Sequence, residues 1–206
     1  MAGFGAYHGL NPAMGWLFAL ALGLQQRSTR AIWLALPFIA LGHAVALVLV
    51  ASAVLALGAV LPFAVVDVIA ALALLGFGAW KLRRYYRHPR WVGMRVGARD
   101  LVAWSFLMAV GHGAGLMVAP VLVVIAGPAP GVPVGATARA LGLAVAVHTA
   151  AMLVVMALVA WVVYRKVGLA VLRRGWVNFD LIWAAALLVV GVLALGRGIW
   201  EIHQGA

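Results

Sequence analysis

Four of the six histidines in this chain stand at positions that recur. The first half carries "YHGLNPAMGW", "LGHAVALVLVA" and "VVDVIAALALLGFG"; the second carries, in the same order, "GHGAGLMVAP", "AVHTAAMLVVMA" and "NFDLIWAAALLVVG". His8 thereby matches His112, His43 matches His148, and Asp67 matches Asp180. From His8 to His43 is 35 positions, and from His112 to His148 is 36. A neutral imidazole has one donor and one acceptor nitrogen, so it can ligate a metal or carry a proton. A carboxylate bonded to it would fix the tautomer and raise the basicity. The bland alternative is that each histidine holds a neighbouring helix through one hydrogen bond.

These side chains lie in a sequence of extreme apolarity. Mean hydropathy is +1.13 and 67% of residues are hydrophobic, so a soluble fold of this length would lack polar surface. The class implied is an all-α polytopic membrane protein with one membrane domain, residues 1–206. Zero cysteines excludes disulfides, thiolate metal sites and dithiol redox chemistry. The net charge of +11 does not imply nucleic acid, because the bases fall between apolar segments. The N-terminus has no basic n-region or cleavage site, so the first apolar segment is expected to stay as a spanning helix.

Apolar runs of about twenty residues cross a bilayer core. They fall near 6–25, 31–57, 62–81, 102–126, 140–164 and 179–199, which predicts six transmembrane helices. Alternate links carry the charge. Arg27 and Arg30, the seven bases from Lys81 to Arg99, and Arg165, Lys166, Arg173 and Arg174 fall on one side; Arg139 and Arg197 fall on the other. The positive-inside rule then places both termini outside the cytoplasm. Three spans per half reverse the second half, giving two inverted repeats, approximately 1–87 and 100–206, joined by a basic cytoplasmic loop. Inverted repeats are a common plan of secondary transporters, with the site between them. Within the third segments Leu74, Leu75 and Gly78 align without gaps on Leu187, Leu188 and Gly191.

His43 and His148 are the sharpest candidates, since each lies midway along an apolar helix where an ionisable side chain is costly. Asp67 and Asp180 read equally as helix-start acids, favoured by the dipole, and as counter-charges or proton-coupling groups for the histidines. His112 is expected deep in the fourth span. His8 precedes Asn11 and Pro12, so "HGLNP" reads either as an unwound entry or as a helix start with Asn11 capping. Met14 and Asn11 are additional candidate ligands, although a membrane methionine usually packs. Gly111, Gly113 and Gly115 permit close helix approach. His88, in the basic loop, and His203, in the tail, are expected to be solvated. That loop is expected to meet anionic headgroups of the lipid bilayer.

"YHGLNPAMGW" resembles the first-helix His motif of the nickel/cobalt (urease-accessory-type) transporters within the lysine-exporter superfamily, and "LGHAVAL" resembles their second-helix Gly-His. The resemblance implies about six spans, inverted three-helix repeats and histidine ligands for a transition metal. In that family acidic residues and another histidine continue the first motif; here Asn11, Pro12 and Met14 stand there. The thiol electron carriers of the superfamily are excluded by the absence of cysteine.

The leading expectation is a secondary transporter moving a small solute, first a divalent transition metal ion, through a His/Asp site between the repeats. His43, His148, His112 and His8 would bind it. One alternative is a b-type haem redox protein, with His43 and His148 as axial ligands. Another is a non-catalytic subunit of a larger complex, in which the histidines pack helices. An enzyme is the least expected, since candidate nucleophiles are few. No cofactor is fixed by the sequence, and homo-oligomer formation stays open. An Ala-rich, Arg-over-Lys composition fits a bacterial inner membrane.

Overall fold

The computed structural model describes residues 1–83, 97–127, 133–167 and 179–204. These residues form helices and short links, with no strand among them. The helices are α1 (Ala2–Leu10), α2 (Trp16–Gln25), α3 (Thr29–Gly58), α4 (Phe63–Arg83), α5 (Ala98–Gly111), α6 (Ala114–Ala126), α7 (Val134–Val162) and α8 (Phe179–Gln204). A 3-10 turn, Pro12–Met14, joins α1 to α2, and a π-helical turn, Val163–Val167, extends α7.

Four of the six expected spans, carried by α3, α4, α7 and α8, are helices long and apolar enough to cross a membrane. A fifth, 102–126, is the pair α5 and α6, broken at His112–Gly113. The remaining run, 6–25, is α1, the 3-10 turn and α2, none of which reaches the length of a span alone. The reason is local. Pro12 has no N–H to donate, and Gly15 and Gly113 take φ of +130° and +70°, which a side chain would strain. The outward faces are apolar as well: Leu41, Leu49, Leu143, Val154 and Leu193 are each more than half exposed. Apolar faces of that extent are compatible with a lipid environment and are rarely left bare in water. The stretch from Arg84 to Val96, with His88, and Arg173, Arg174 and Asn178 lie outside the described residues, as does the side chain of Asp180.

The chain forms two compact units. One holds α1, α2, α3 up to Ala46, α5, and α7 from Ala146 onward. The other holds the rest of α3, α4, α6, α7 up to Val145, and α8. Each unit therefore draws on both sequence repeats.

In the first unit, small residues set the helix spacing. A Cβ on Gly5 would strike the His148 carbonyl oxygen, and one on Gly9 would lie 2.6 Å from the Met152 carbonyl oxygen, so α1 lies directly against the backbone of α7. Gly42 is held in the same way against Val102 of α5, and Ser105 Oγ donates to the Ile39 carbonyl at 2.6 Å. Asp100 accepts from the Gly97 N–H at 2.8 Å and so closes the start of α5.

In the second unit, repeat-matched residues touch reciprocally. A Cβ on Gly78 would lie 3.0 Å from the Leu188 side chain, and one on Gly191 would lie 2.9 Å from that of Leu75. Mutual contacts between equivalent residues are those of a two-fold-related pair. Gly191→Val should wedge α8 from α4 and cost about 1–3 kcal/mol, the usual effect of overpacking. Adding Leu75→Ala should recover part of that loss, measured by thermal unfolding in detergent. Independent, additive effects of the two substitutions would contradict the contact.

Candidate metal centre

Three fully buried histidines meet in the first unit: His8 from α1, His43 from α3 and His148 from α7. One ring nitrogen of each lies within 4.8 Å of the others. His43 and His148 stand at the middle of long apolar helices, where a polar side chain has no water and must find another polar group. Their Nε2 atoms are 3.3 Å apart with the rings parallel to within 3°. His8 stands edge-on to both, with centroids 5.5 Å from His43 and 4.8 Å from His148. It reaches them because Gly5 and Gly9, one turn apart and flanking it, bring α1 onto the α7 backbone.

Tautomers follow from the partners. His8 Nδ1 is 2.6 Å from the Phe4 carbonyl, which can only accept, so Nδ1 carries the proton and Nε2 of neutral His8 is the lone-pair nitrogen. That is the arrangement in which a backbone carbonyl orients a metal-ligating imidazole. Between His43 and His148, one Nε2 donates and the other accepts. The same separation suits ligands of one ion, since two nitrogen–metal bonds of 2.0–2.1 Å at a tetrahedral angle place the nitrogens about 3.3 Å apart. His43 Nδ1 has no hydrogen-bond partner among the described residues, which leaves it available to take the proton when Nε2 ligates.

Asn11 and Met14 belong to the same unit, and Asn11 serves the chain break. Asn11 Oδ1 accepts from the Ala13 N–H at 3.0 Å, Pro12 opens the turn, and Trp16 Nε1 donates to the Leu10 carbonyl at 3.2 Å. Both sequence readings of "HGLNP" hold together: the helix is interrupted, and Asn11 caps the 3-10 turn beyond the break. Met14 is buried, at 1% exposure.

His112 and Asp67 lie in the second unit. His112 sits at the α5–α6 break, and its carbonyl accepts from Trp183 Nε1 at 2.5 Å. Asp67 is fully buried, and its Oδ2 is held by Arg197 through Nη2 at 2.7 Å and Nε at 2.9 Å. Arg197 Nη2 also donates to the Pro120 carbonyl at 3.1 Å, and Glu201 lies 3.6 Å from Arg197 Nε. The described partner of Asp67 is therefore a guanidinium, not an imidazole. The reason is charge: a buried carboxylate is stabilised far more by a permanent cation bearing several donors than by neutral histidine.

Comparison with family models, curated proteins and solved structures gives no match to this chain. The chemistry of the site has to be read from its own residues.

Sequence reasoning overlooked two features. One is Gly5 and Gly9, whose small-xxx-small spacing around His8 was the available signal. The other is Arg197, counted only for topology. Arg197→Leu should leave Asp67 buried without its cation; with Arg197 31% exposed, we expect a loss of about 2–3 kcal/mol, below the roughly 3–5 of a fully buried pair. Asp67→Leu added to it should restore stability toward native in thermal unfolding, and a double variant weaker than either single one would contradict the pairing.

Proposed function

We propose that this chain is a secondary membrane transporter for a transition-metal ion, with His8, His43 and His148 as its binding site. The observation that carries this reading is the convergence of three buried imidazoles from three helices, with the His8 lone pair fixed on Nε2 by the Phe4 carbonyl. The separation of the His43 and His148 nitrogens agrees with tetrahedral ligation.

The transporter part of the reading rests on the backbone. Each sequence repeat opens with a broken apolar segment, at Asn11–Gly15 and at His112–Gly113, followed by a long helix with a central histidine. Broken segments at corresponding positions of two halves accompany substrate sites in transporters. On this reading α1 with α2, and α5 with α6, would each make one broken span and so complete the six-span, inverted-repeat arrangement expected from the charge alternation, with both termini outside. The resemblance of "YHGLNPAMGW" and "LGHAVAL" to the nickel/cobalt transporters points the same way. A bacterial inner membrane is the proposed location, and the Asp67–Arg197 pair is assigned to holding the second unit together.

Haem is less well supported. Trans axial nitrogens on one iron stand roughly 4 Å apart with a porphyrin between them, wider than the His43–His148 separation of 3.3 Å.

Transition-metal flux should be measured in proteoliposomes containing the native protein or a His43→Ala/His148→Ala variant at equal density. Loss of two ligands should lower flux at least about tenfold, since even supporting residues are worth 10–100-fold. Equal flux in the two preparations, or no flux of any transition metal, would overturn the reading.

A further inference from the structure

The unit that holds the three histidines is almost without acid. Of the four carboxylates in the chain, Asp100 alone belongs to it; that side chain is exposed and occupied with the Gly97 N–H. No thiolate is available, since the chain has no cysteine. Among the described residues no carboxylate joins His8, His43 and His148, so an ion there would sit in a buried, all-nitrogen shell, with the positive amino terminus acting on His148.

Charge decides which ion tolerates this. The Born cost of burying an ion grows with the square of its charge, so a dication is penalised about fourfold more than a monocation of equal size. Three neutral imidazoles do hold Zn(II) in proteins, where an open fourth position takes water or hydroxide; a monovalent ion calls for no such anion in a buried site.

A second observation concerns sulfur. Met152 and Met156 come after His148 on α7 at successive intervals of four, and both are fully buried in the same unit. Four-residue steps put His148, Met152 and Met156 in one row on one helix face. Gly9 of α1 packs against the Met152 backbone, as Gly5 packs against that of His148, so the row runs beneath the helix that supplies His8. Met14 adds a third buried thioether from the turn after α1. Thioether is a soft, uncharged ligand that favours Cu(I), and imidazole accepts copper as well.

Resting on the transporter reading above and narrowing its ion, we infer that the site takes a monovalent d10 cation, Cu(I), rather than the divalent ion expected from sequence. The imidazoles form the binding point, and Met152 and Met156 continue it along α7 with uncharged sulfur ligands. Nothing in the process changes the oxidation state of the metal: Cu(I) enters and leaves as Cu(I), exchanging one set of neutral ligands for another.

The test uses the whole protein in lipid nanodiscs under anaerobic conditions. Cu(I) is titrated against a chromogenic chelator, Ag(I) serves as a redox-inert probe of the same charge, and Zn(II), Ni(II) and Co(II) are titrated in parallel. The inference expects one Cu(I) or Ag(I) per chain, bound at least 100-fold more tightly than any of the divalent ions. That binding should be lost in His43→Ala/His148→Ala. Met152→Leu, which keeps apolar volume, should fold normally and weaken Cu(I) severalfold while leaving Zn(II) unchanged; this keeps the test decisive even where the double variant does not fold. Tighter binding of a divalent ion, sensitive to the histidines, would overturn the monovalent assignment and leave the metal site standing. Cu(I) binding that ignores both substitutions, or no binding of any ion, would overturn the inference and the site together.

Discussion

The contact between α1 and α7 is the constraint on which the site depends. Gly5 and Gly9 put the α1 backbone against the carbonyls of His148 and Met152, a separation that any side chain at those positions would prevent. In a bilayer, helices gain little from burying apolar surface against one another, so close backbone packing supplies much of their association. His8 lies between the two glycines and is carried by that contact to the imidazoles of His43 and His148. The chain break just beyond it, held by Asn11 and by the Trp16 bond to Leu10, lets α1 end there and α2 set off separately.

Within each unit, a pair of repeat-matched residues meets. His43 and His148 are equivalent in sequence, and they meet nitrogen to nitrogen with parallel rings. Gly78 and Gly191 are likewise equivalent, and each receives the leucine that matches the other's partner. A pair of matched histidines, each costly alone in an apolar helix, can satisfy one another through that contact.

Much of this was legible in the sequence, for identifiable reasons. The matched spacings His8–His43 and His112–His148 singled out four histidines, three of which meet, because polar residues in an apolar chain are few and their recurrence is easily seen. Helix identity, the boundaries of α3 and α4 to within two residues and the start of α8 followed from apolar run length, while α8 runs five residues beyond its apolar run. Run length could not count spans where the backbone breaks inside a run, at Asn11–Gly15 and at His112–Gly113, since hydropathy is blind to backbone geometry. Nor could it reveal that Asp67 pairs with Arg197, 130 positions away, because charge attraction leaves no local pattern. His112 matched His8 in sequence yet belongs to the other unit, with its carbonyl bound to Trp183, so the repeat correspondence carried position without carrying role.

The central claim is that three imidazoles converge on one metal ion. X-ray absorption at the metal edge of the loaded, membrane-embedded protein tests it most directly. The account predicts a first shell dominated by nitrogen at about 2.0 Å, with the outer-shell scattering of two to three imidazole rings, reduced when His8 alone is replaced by alanine. A first shell of oxygen without imidazole scattering, or a spectrum indifferent to His8, would contradict it.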